Sequence, residues 1–450
     1  MKLMTFNLWL GGDQVNFAKA VEAIRASGAD IVCLQEPAGN TARIAAALGW
    51  PYALPSRHMI ARMPLFAPPA ARGPDGNELA IAYAETAPGK FVAVCCIHLP
   101  SEESGPRALR EGRTIAEVLE TERKVRLPFI APYVATAAAM AKTGLPVIVA
   151  GDFNAPSPLD GDAVAWPAAQ ALLDAGFTDS YRAAHPDPKA EPGITWSYGY
   201  PYPHLDADGI ASRIDFIMTL GAARTVKSEI LGDPGMPGTD IPVSPWPSDH
   251  RAVVSTLEVA PGPAPAMVSI AERAVARGAA VTLRFHAATA DGRIEGGSIV
   301  VRGGDAVLMR LSSNDGTDRK GSLAFGTWAL APGRYSAALL DRHGATLAAA
   351  PFWVVAQDRR PGIAAAKSRF ATGEAIALSW DNAPGNRFDW IGLYRKGEPD
   401  AQNYLGFYYV NAEPSGTIGI EPGLAPGEYE ARLGLDDSLV ALAGAAFTVG

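Results

Sequence analysis

The sequence predicts an α/β domain followed by two all-β domains, and three observations lead to this fold class. Apolar runs typical of strands alternate with amphipathic runs typical of helices as far as about residue 260. A segment rich in Pro and Gly, 261–265, then has the composition of a linker. Beyond it the chain consists of short β-like runs separated by Gly and Pro turns. We therefore divide the 450 residues into domains at 1–260, 266–356 and 361–450.

In the first domain, the spacing of apolar residues predicts each element. A helix is predicted over residues 14–27, because Phe17 and Ile24 fall on one apolar face and Gly28 can end it. A second helical region precedes residue 147, and Pro128 and Pro132 should break it. Strands interleaved with these helices predict a mixed sheet covered by helices. The predicted strands are residues 3–9, 31–35, 79–84, 91–99, 147–150, 214–218, 225–231 and 252–259.

The C-terminal half contains one sequence pattern twice. Three pairs of segments match, namely 278–285 with 373–380, 331–335 with 425–429, and 352–354 with 447–449. The offset stays at about 95 positions throughout, which is typical of tandem domains. At this size, and with many short strands, each copy is predicted to be an immunoglobulin-like β-sandwich.

The composition limits which classes of function fit the sequence. The formal net charge is −8, so the strongly basic character of a tight DNA-binding protein is absent. A nuclease stays open as an alternative, because bound metal ions supply positive charge locally. The three cysteines form no CxxC and offer neither a disulfide framework nor a zinc knuckle.

The hydropathy of the sequence bears on its location. No apolar stretch is long enough to span a bilayer, so we expect no stable membrane insertion. The N-terminus enters a strand-like run without a signal peptide, so a cytoplasmic protein is the default expectation. The alternative is a periplasmic or secreted protein whose signal was removed.

Six short clusters place a polar or ionisable side chain at the edge of a predicted strand. Each cluster alone is weak, because a carboxylate at the end of an apolar strand usually marks only where the chain meets water. Together they indicate one site, since strand ends of one sheet can converge on a shared crevice where ligands bind. The polar residues of the six clusters are Asn7, Glu36, His98, Asp152 with Asn154, Asp215, and Asp249 with His250.

Some of these residues are suited to holding a metal ion. Phosphoester hydrolysis needs a hard cation held by carboxylate and amide oxygens, and Glu36, Asp249 and Asn7 are the candidate ligands. This ligand set is rich in oxygen and lacks Cys, which favours Mg²⁺ or Mn²⁺ over Zn²⁺.

Other residues are suited to proton transfer and charge stabilisation. The reaction needs a base to activate water, and the imidazole of His250 suits that task. A buried carboxylate can fix the tautomer of such a histidine, a role open to Asp215. His98 and Asn154 are candidates for stabilising the developing charge or the leaving oxygen.

The ordered series of these motifs resembles the endonuclease/exonuclease/phosphatase superfamily. That group includes deoxyribonuclease I, abasic-site endonucleases, neutral sphingomyelinases and inositol polyphosphate 5-phosphatases. The resemblance spans about residues 1–259 and includes every core motif. It implies a four-layer α/β sandwich, in which two mixed sheets pack face to face with helices outside.

The resemblance also implies a role for each residue of the metal and base groups. Glu36 would be the principal metal ligand, with Asn7 and Asp249 nearby. His250 would be the general base, paired with Asp215.

The remaining polar residues are implied to act on the phosphate. Asp152 and Asn154 would bind or orient the nucleophile and the phosphate. His98 would contact the phosphate or assist the leaving group. Thr195 and Trp196 also look like a common feature of the family.

The leading functional hypothesis is a metal-dependent phosphodiesterase that acts on a small or lipid-like phosphodiester by in-line attack of water. The acidic balance of the sequence favours it over the main alternative, a metal-dependent nuclease on DNA or RNA. A phosphomonoesterase is a further alternative, because the motifs handle the phosphate and say little about what it carries. A non-catalytic binding protein is the alternative from another class, and the intact set of motifs argues against it. Protein partners stay unknown from the sequence.

An aromatic run over residues 196–204 has two interpretations. It suits the wall of a substrate pocket, and it suits a packed Pro-rich loop equally well.

Overall fold

The structure is a computed structural model, and it describes residues 1–161, 164–197, 211–287, 297–311, 320–358, 360–421 and 423–450. These residues fall into two compact units. The first unit comprises Met1–Leu65, Ala70–Pro74 and Leu79–Ala264. The second unit comprises Phe66–Pro69, Asp75–Glu78 and Pro265–Gly450.

All seven α-helices of the described ranges lie in the first unit. They are α1 (Phe17–Ser27), α2 (Thr41–Leu48), α3 (Gly105–Arg110), α4 (Ile115–Val125), α5 (Leu127–Ala141), α6 (Pro167–Asp174) and α7 (Ser180–Ala184). The side chain of Asn16 caps α1 by accepting hydrogen bonds from the backbone N–H groups of Ala18 and Lys19. Gly28 ends α1 in the left-handed conformation, as the sequence predicts.

The predicted break at Pro132 is wrong. Pro128 lies at the start of α5, where the missing N–H is not needed, and α4 ends just before it. Pro132 lies inside α5 and removes one helical hydrogen bond. The helix continues because Ile130, Tyr133 and Ala137 are buried along it, and tertiary packing outweighs the lost bond.

Two mixed sheets form the centre of the first unit. The strands between Lys2 and Val259 are β1 (Lys2–Asn7), β2 (Ile31–Gln35), β3 (Tyr52–Leu54), β4 (Met59–Ala61), β5 (Leu65–Phe66), β6 (Ile81–Ala87), β7 (Lys90–His98), β8 (Val147–Asp152), β9 (Thr178–Asp179), β10 (Trp196–Ser197), β11 (Ala211–Ser212), β12 (Asp215–Leu220), β13 (Ala223–Gly232), β14 (Ile241–Pro242) and β15 (Ala252–Val259). Sheet A has the order β14-β13-β15-β1-β2-β4-β3, and sheet B has the order β5-β6-β7-β8-β12-β9. Strands β10 and β11 pair as a separate ribbon.

The two sheets face each other, and helices cover their outer faces. Across the interface between the sheets, Gln35 of β2 donates a hydrogen bond to Cys96 Sγ of β7 at 3.5 Å. On the outer face of sheet A, Phe6 packs in one apolar core with Ile24 of α1 and Ile44 of α2. Helix α5 packs against β8 of sheet B. The four-layer α/β sandwich is thus confirmed.

The close pairing of β7 and β8 depends on a glycine. A Cβ atom at Gly151 would lie 2.0 Å from the carbonyl oxygen of Ile97, which is far inside van der Waals contact. The neighbour is backbone and cannot rotate away, so only glycine fits here without a shift of the strand.

We expect Gly151→Ala to destabilise the protein by about 3 kcal/mol or more, because the clash separates the strands that carry His98 and Asp152. Thermal unfolding of the variant measures this loss. Gly419→Ala is the matched control, because a Cβ there meets nothing within 4 Å. Equal melting temperatures for the two variants would contradict the expectation.

The second unit contains two β-sandwiches. The strands of the first are β16 (Met267–Ile270), β17 (Ala274–Ala276), β18 (Ala280–His286), β19 (Ser298–Gly303), β20 (Ala306–Leu311), β21 (Lys320–Gly326), β22 (Gly333–Leu340) and β23 (Thr346–Val355). Those of the second are β24 (Gly362–Ala365), β25 (Arg369–Phe370), β26 (Ile376–Asp381), β27 (Trp390–Arg395), β28 (Gly406–Tyr409), β29 (Gly416–Ile420), β30 (Gly427–Gly434) and β31 (Ala441–Val449).

The two sandwiches share one strand order. The sheets of the first are β16-β18-β21 and β17-β23-β22-β19-β20. Those of the second are β24-β26-β29 and β25-β31-β30-β27-β28, which is the same order strand for strand. Their cores agree in detail: Tyr335 stacks on Phe352 with ring centroids 5.7 Å apart, and Tyr429 stacks on Phe447 at 5.8 Å. An α/β sandwich followed by immunoglobulin-like sandwiches is the fold class that the sequence predicts.

Among the described residues, no helix is both long enough and apolar enough to cross a bilayer.

Candidate active site

Parallel strands bring polar residues of both sheets to one edge. β1 and β2 run parallel in sheet A, and Asn7 at the end of β1 pairs with Gln35, directly before Glu36. β7 and β8 run parallel in sheet B, and their last residues, His98 and Asp152, are paired. Parallel strands end at the same edge of a sheet, so residues at or just after the ends of neighbouring parallel strands lie close together.

Two antiparallel strands begin at that same edge. Asp215 is the first residue of β12 and pairs with Asp152. Asp249 and His250 come directly before β15, which runs antiparallel to β1. The structure therefore brings together side chains from six separate segments of the chain.

Asp215 and His250 form a buried hydrogen-bonded pair. The Nδ1 atom of His250 lies 3.0 Å from Oδ2 of Asp215, in the position of a donor to the carboxylate. Both side chains are almost fully buried. The other ring nitrogen, Nε2, lies 3.7 Å from Oδ2 of Asp152. Since Asp215 engages Nδ1, Nε2 is the nitrogen left to exchange a proton.

The side chain of Asn7 joins carboxylates of the two sheets. Its Nδ2 atom donates hydrogen bonds of 3.1 Å to Oε1 of Glu36 and 3.1 Å to Oδ2 of Asp152. The other carboxylate oxygen of Glu36 accepts a bond of 3.1 Å from the backbone N–H of Leu10. These bonds hold Glu36 although its φ of 50° lies in the left-handed region that non-glycine residues rarely adopt.

His98 lies beside the same two carboxylates. Its Nε2 atom is 3.7 Å from Oδ2 of Asp152 and 4.0 Å from Oε1 of Glu36. At these distances it contacts the carboxylates electrostatically without a direct hydrogen bond.

Asn154 and Asp249 complete the group of predicted residues. The backbone N–H of Asn154 donates to Oδ1 of Asp152 at 2.8 Å, and its side chain donates to the carbonyl of Leu99 at 2.9 Å. In Asp249, Oδ1 is buried and has no hydrogen-bond partner among the residues that the structure describes. Asp249 is close enough to Glu36, Asp152 and His250 for each to influence its ionisation.

The charges of the site act strongly on His250. Burial lowers the pKa of the imidazole, but the carboxylates of Asp215, Asp152 and Asp249 outweigh burial and raise the pKa well above its ordinary value. The surrounding carboxylates therefore favour the protonated form of this histidine in the cation-free protein.

The carboxylates also raise one another's pKa, so they do not readily ionise at the same time. Burial raises the pKa of Asp249 to about 6, and the nearby charges of Glu36 and Asp152 add to this rise while His250 opposes it. Burial also raises the pKa of Asp152, and Asp215 raises it further. Several acidic groups thus share a site that has too little positive charge for them.

This arrangement fits a hard divalent cation. An orphaned carboxylate oxygen of Asp249 and crowded acidic groups are what a bound cation would satisfy. Asp152, Asp215 and His250 also present ligand atoms within 4.8 Å of one another. In that group, Nδ1 of His250 is bonded to Oδ2 of Asp215, while Oδ1 of Asp215 is buried with no hydrogen-bond partner among the described residues.

We expect Asp249→Asn to stabilise the cation-free protein by about 3 kcal/mol at roughly pH 8. The sign follows from the raised pKa of Asp249. Between its ordinary value of 3.8 and about 6, the unfolded chain ionises this carboxyl before the folded chain does, so ionisation disfavours folding as the pH rises. The neutral amide removes that penalty, and the gain should vanish near pH 4.

Thermal unfolding with a chelator at both pH values measures the effect. Asp174→Asn on the exposed side of α6 serves as the control for a change in charge alone. A melting temperature of Asp249→Asn below that of the wild type at the higher pH would show that crowding does not destabilise the site.

Ser248 is a residue of the site to which the sequence assigns no role. Its Oγ atom donates to the carbonyl of Asn7 at 2.7 Å and accepts from the backbone N–H of His250 at 3.0 Å. The side chain is fully buried and ties the end of β1 to the histidine. The only sequence signal for this role is its place directly before Asp249. A serine beside charged residues is ordinarily expected to lie on the surface.

The aromatic run over residues 196–204 lies partly within the described ranges. The ring of Trp196 lies 6.4 Å from that of His250, measured between centroids. Residues 198–204 lie outside the described ranges, so both interpretations of the run stay predictions.

Fold and site together define a class of protein: a four-layer α/β sandwich whose two sheets bring carboxylates, amides and imidazoles to one shared edge. Residues 4–250 match the sequence profile of the Endonuclease/Exonuclease/phosphatase family, which is more than half of the chain. The chain therefore belongs to this family. Its members are in general metal-dependent hydrolases of phosphoesters.

Individual relatives are distant. The Uncharacterized protein F14F9.5 of Caenorhabditis elegans is 29% identical over 296 residues, covering 56% of this chain and 90% of the relative. A solved endonuclease/exonuclease/phosphatase from Beutenbergia cavernae DSM 12333 is 17% identical, with a TM-score of 0.38, and the match covers 79% of this chain and 99% of that one. D. rerio TDP2, solved with a single strand DNA product, is 14% identical, with a TM-score of 0.37 and coverage of 58% and 99%.

Proposed function

We propose that this chain is a divalent-metal-dependent phosphodiesterase, with its active site in residues 1–260. The observation that carries the proposal is the buried Asp215–His250 pair, with Nε2 of His250 facing a group of carboxylates. A histidine held in this way is suited to take a proton from water. The two β-sandwiches, at 266–356 and 361–450, are proposed to be accessory domains.

His250 acts as the general base. Its Nδ1–H is engaged by Asp215, so the proton of the attacking water goes to Nε2. Asp215 also stabilises the imidazolium that forms. Asp152, 3.7 Å from Nε2, is placed to orient the water as a hydrogen-bond acceptor.

Residues on the other side of Asp152 handle the phosphate. His98 is half-buried beside Glu36 and Asp152 and can donate a proton or hydrogen bond to a phosphate or leaving oxygen. Asn154 is anchored to β8 and to Leu99, so its position next to Asp152 is fixed before substrate binds.

Glu36 and Asp249 would hold the cation, with Asn7 beside them. Oxygen ligands without Cys favour Mg²⁺ or Mn²⁺. When bound, a cation there would supply Lewis-acid stabilisation of phosphate charge and would offset the carboxylates that raise the pKa of His250. Asn7 donates a hydrogen bond to each of Glu36 and Asp152, which offsets the repulsion between the two carboxylates.

A small or lipid-like phosphodiester is the proposed substrate class. The net charge of −8 supports it, because extended contact with a nucleic-acid backbone relies on basic surface. A nucleic acid and a phosphomonoester are the outcomes against which this choice is tested.

Hydrolysis of bis-p-nitrophenyl phosphate tests the proposal, with EDTA and then with added Mg²⁺ or Mn²⁺. We expect turnover that EDTA abolishes and the cation restores. p-Nitrophenyl phosphate, a labelled oligonucleotide and a phosphocholine ester are assayed in parallel. Absence of cation-dependent turnover on all four would contradict the hydrolase proposal, and preference for the oligonucleotide or the monoester would contradict the substrate class.

A further inference from the structure

Thr195 is a buried threonine between the chain segments that carry Asp215 and His250. Only 1% of its surface is exposed, and it lies directly before the short strand β10. Both its side chain and its main chain make hydrogen bonds to those two segments. It touches neither the carboxylates nor the imidazole by any described bond.

The hydroxyl of Thr195 holds the start of β12. Its Oγ1 atom accepts a hydrogen bond of 3.0 Å from the backbone N–H of Ile214 and one of 3.2 Å from that of Asp215. One oxygen therefore satisfies two consecutive buried donors at the point where Asp215 enters the site. Without this acceptor the two N–H groups would be buried and unpaired, which is strongly unfavourable.

The main chain at Thr195 holds the segment of His250. Its carbonyl accepts a hydrogen bond of 2.7 Å from the backbone N–H of Arg251. The next residue, Trp196, forms an antiparallel bridge with His250 itself. The guanidinium of Arg251 also donates to the carbonyl of Ile194, on the other side of Thr195.

One residue thus fixes both ends of the catalytic pair. The side chain of Thr195 sets the backbone of Asp215, and its main chain sets the backbone next to His250. The bond between Oδ2 and Nδ1, 3.0 Å long, joins the two ends, and such bonds weaken steeply when donor and acceptor move. We infer that Thr195 is a positioning residue, whose hydroxyl aligns Asp215 with His250 for the proposed hydrolysis.

The inference rests on the proposed function for its catalytic consequence but not for its geometry. An acceptor is needed at this position, and serine supplies one. Valine has nearly the same shape and supplies none. The pair Thr195→Val and Thr195→Ser therefore separates the hydroxyl from the space that the side chain fills.

The experiment compares both variants with the wild-type chain at saturating Mg²⁺ or Mn²⁺ on bis-p-nitrophenyl phosphate. In Thr195→Val we expect kcat to fall at least about tenfold, with KM and the cation concentration for half-maximal activity unchanged, because alignment matters in the transition state. In Thr195→Ser we expect kcat within about threefold of the wild type.

A second readout does not depend on activity. The Nδ1–H proton of His250, bonded to a carboxylate, should give a low-field proton resonance, assigned by its absence from His250→Gln. We expect Thr195→Val to lose or shift this resonance and Thr195→Ser to keep it. If Thr195→Val does not fold, Thr195→Cys replaces it, since a thiol is a weaker acceptor of similar size.

The outcomes separate this inference from the proposed function. Wild-type kcat together with an unchanged resonance in Thr195→Val would overturn the positioning role, as would an equal loss of kcat in Thr195→Ser. A wild-type chain without cation-dependent turnover would overturn the proposed function, and the resonance would then decide the positioning role alone.

Discussion

Replacing His250 by alanine is expected to lower kcat on bis-p-nitrophenyl phosphate by about 10³- to 10⁴-fold. Its Nε2, 3.7 Å from Oδ2 of Asp152, is the ring nitrogen that Asp215 does not engage and is the proposed acceptor of the proton. The fold should survive, because the remaining bonds at this edge, such as that from Asn7 to Asp152, do not involve the imidazole. Steady-state kinetics at saturating cation measure the loss.

Two comparisons sharpen this prediction. Asp215→Asn keeps the size of the side chain but removes the charge that fixes the tautomer, so it should lose about 10²-fold or more. His343→Ala, an exposed histidine of the first β-sandwich, should leave kcat unchanged. Retention of kcat within a few fold in His250→Ala would remove the general base from the proposal.

Replacing Glu36 by glutamine is expected to raise the Mg²⁺ or Mn²⁺ concentration for half-maximal activity by about 100-fold or more. The amide has one oxygen where the carboxylate has two, and it carries no charge. One of the donors that now reach Glu36, from Asn7 and Leu10, would face an N–H₂ group instead. Titration of activity with cation and calorimetric measurement of cation binding report the change independently.

Glu22→Gln on α1 is the matched control for this substitution. Glu22 is about half exposed and pairs only with Lys19 in the described contacts, so its loss of charge should not alter the cation titration. If Glu36→Gln binds the cation as tightly as Glu22→Gln does, Glu36 is not a ligand.

The sequence predicts where the candidate site lies because its polar residues stand at the ends of predicted strands. Asn7, Glu36 and His98 each follow an apolar run, and parallel strands carry such positions to a common edge. The pattern also predicts α1 with its end at Gly28 and the fold class of all three regions. The chemical roles assigned to the site residues stay proposals.

Other features depend on contacts that no local pattern carries. Ser248 bonds to the carbonyl of Asn7 across 241 positions of the chain, so its role appears only in three dimensions. The strands β3 and β4 are three residues each, too short to give a periodic signal. The local preference of Pro132 predicts a break in the helix, but tertiary packing overrides it.

The crowding of acidic groups around Asp249 has a consequence for the lifetime of the protein. A cation that binds the folded chain and not the unfolded chain shifts the folding equilibrium by mass action. Chains made when the metal is scarce should therefore unfold more often at neutral pH and be degraded first by proteases. With the proposed cation bound in this way, the abundance of the protein is expected to follow the supply of that cation, even if synthesis is constant.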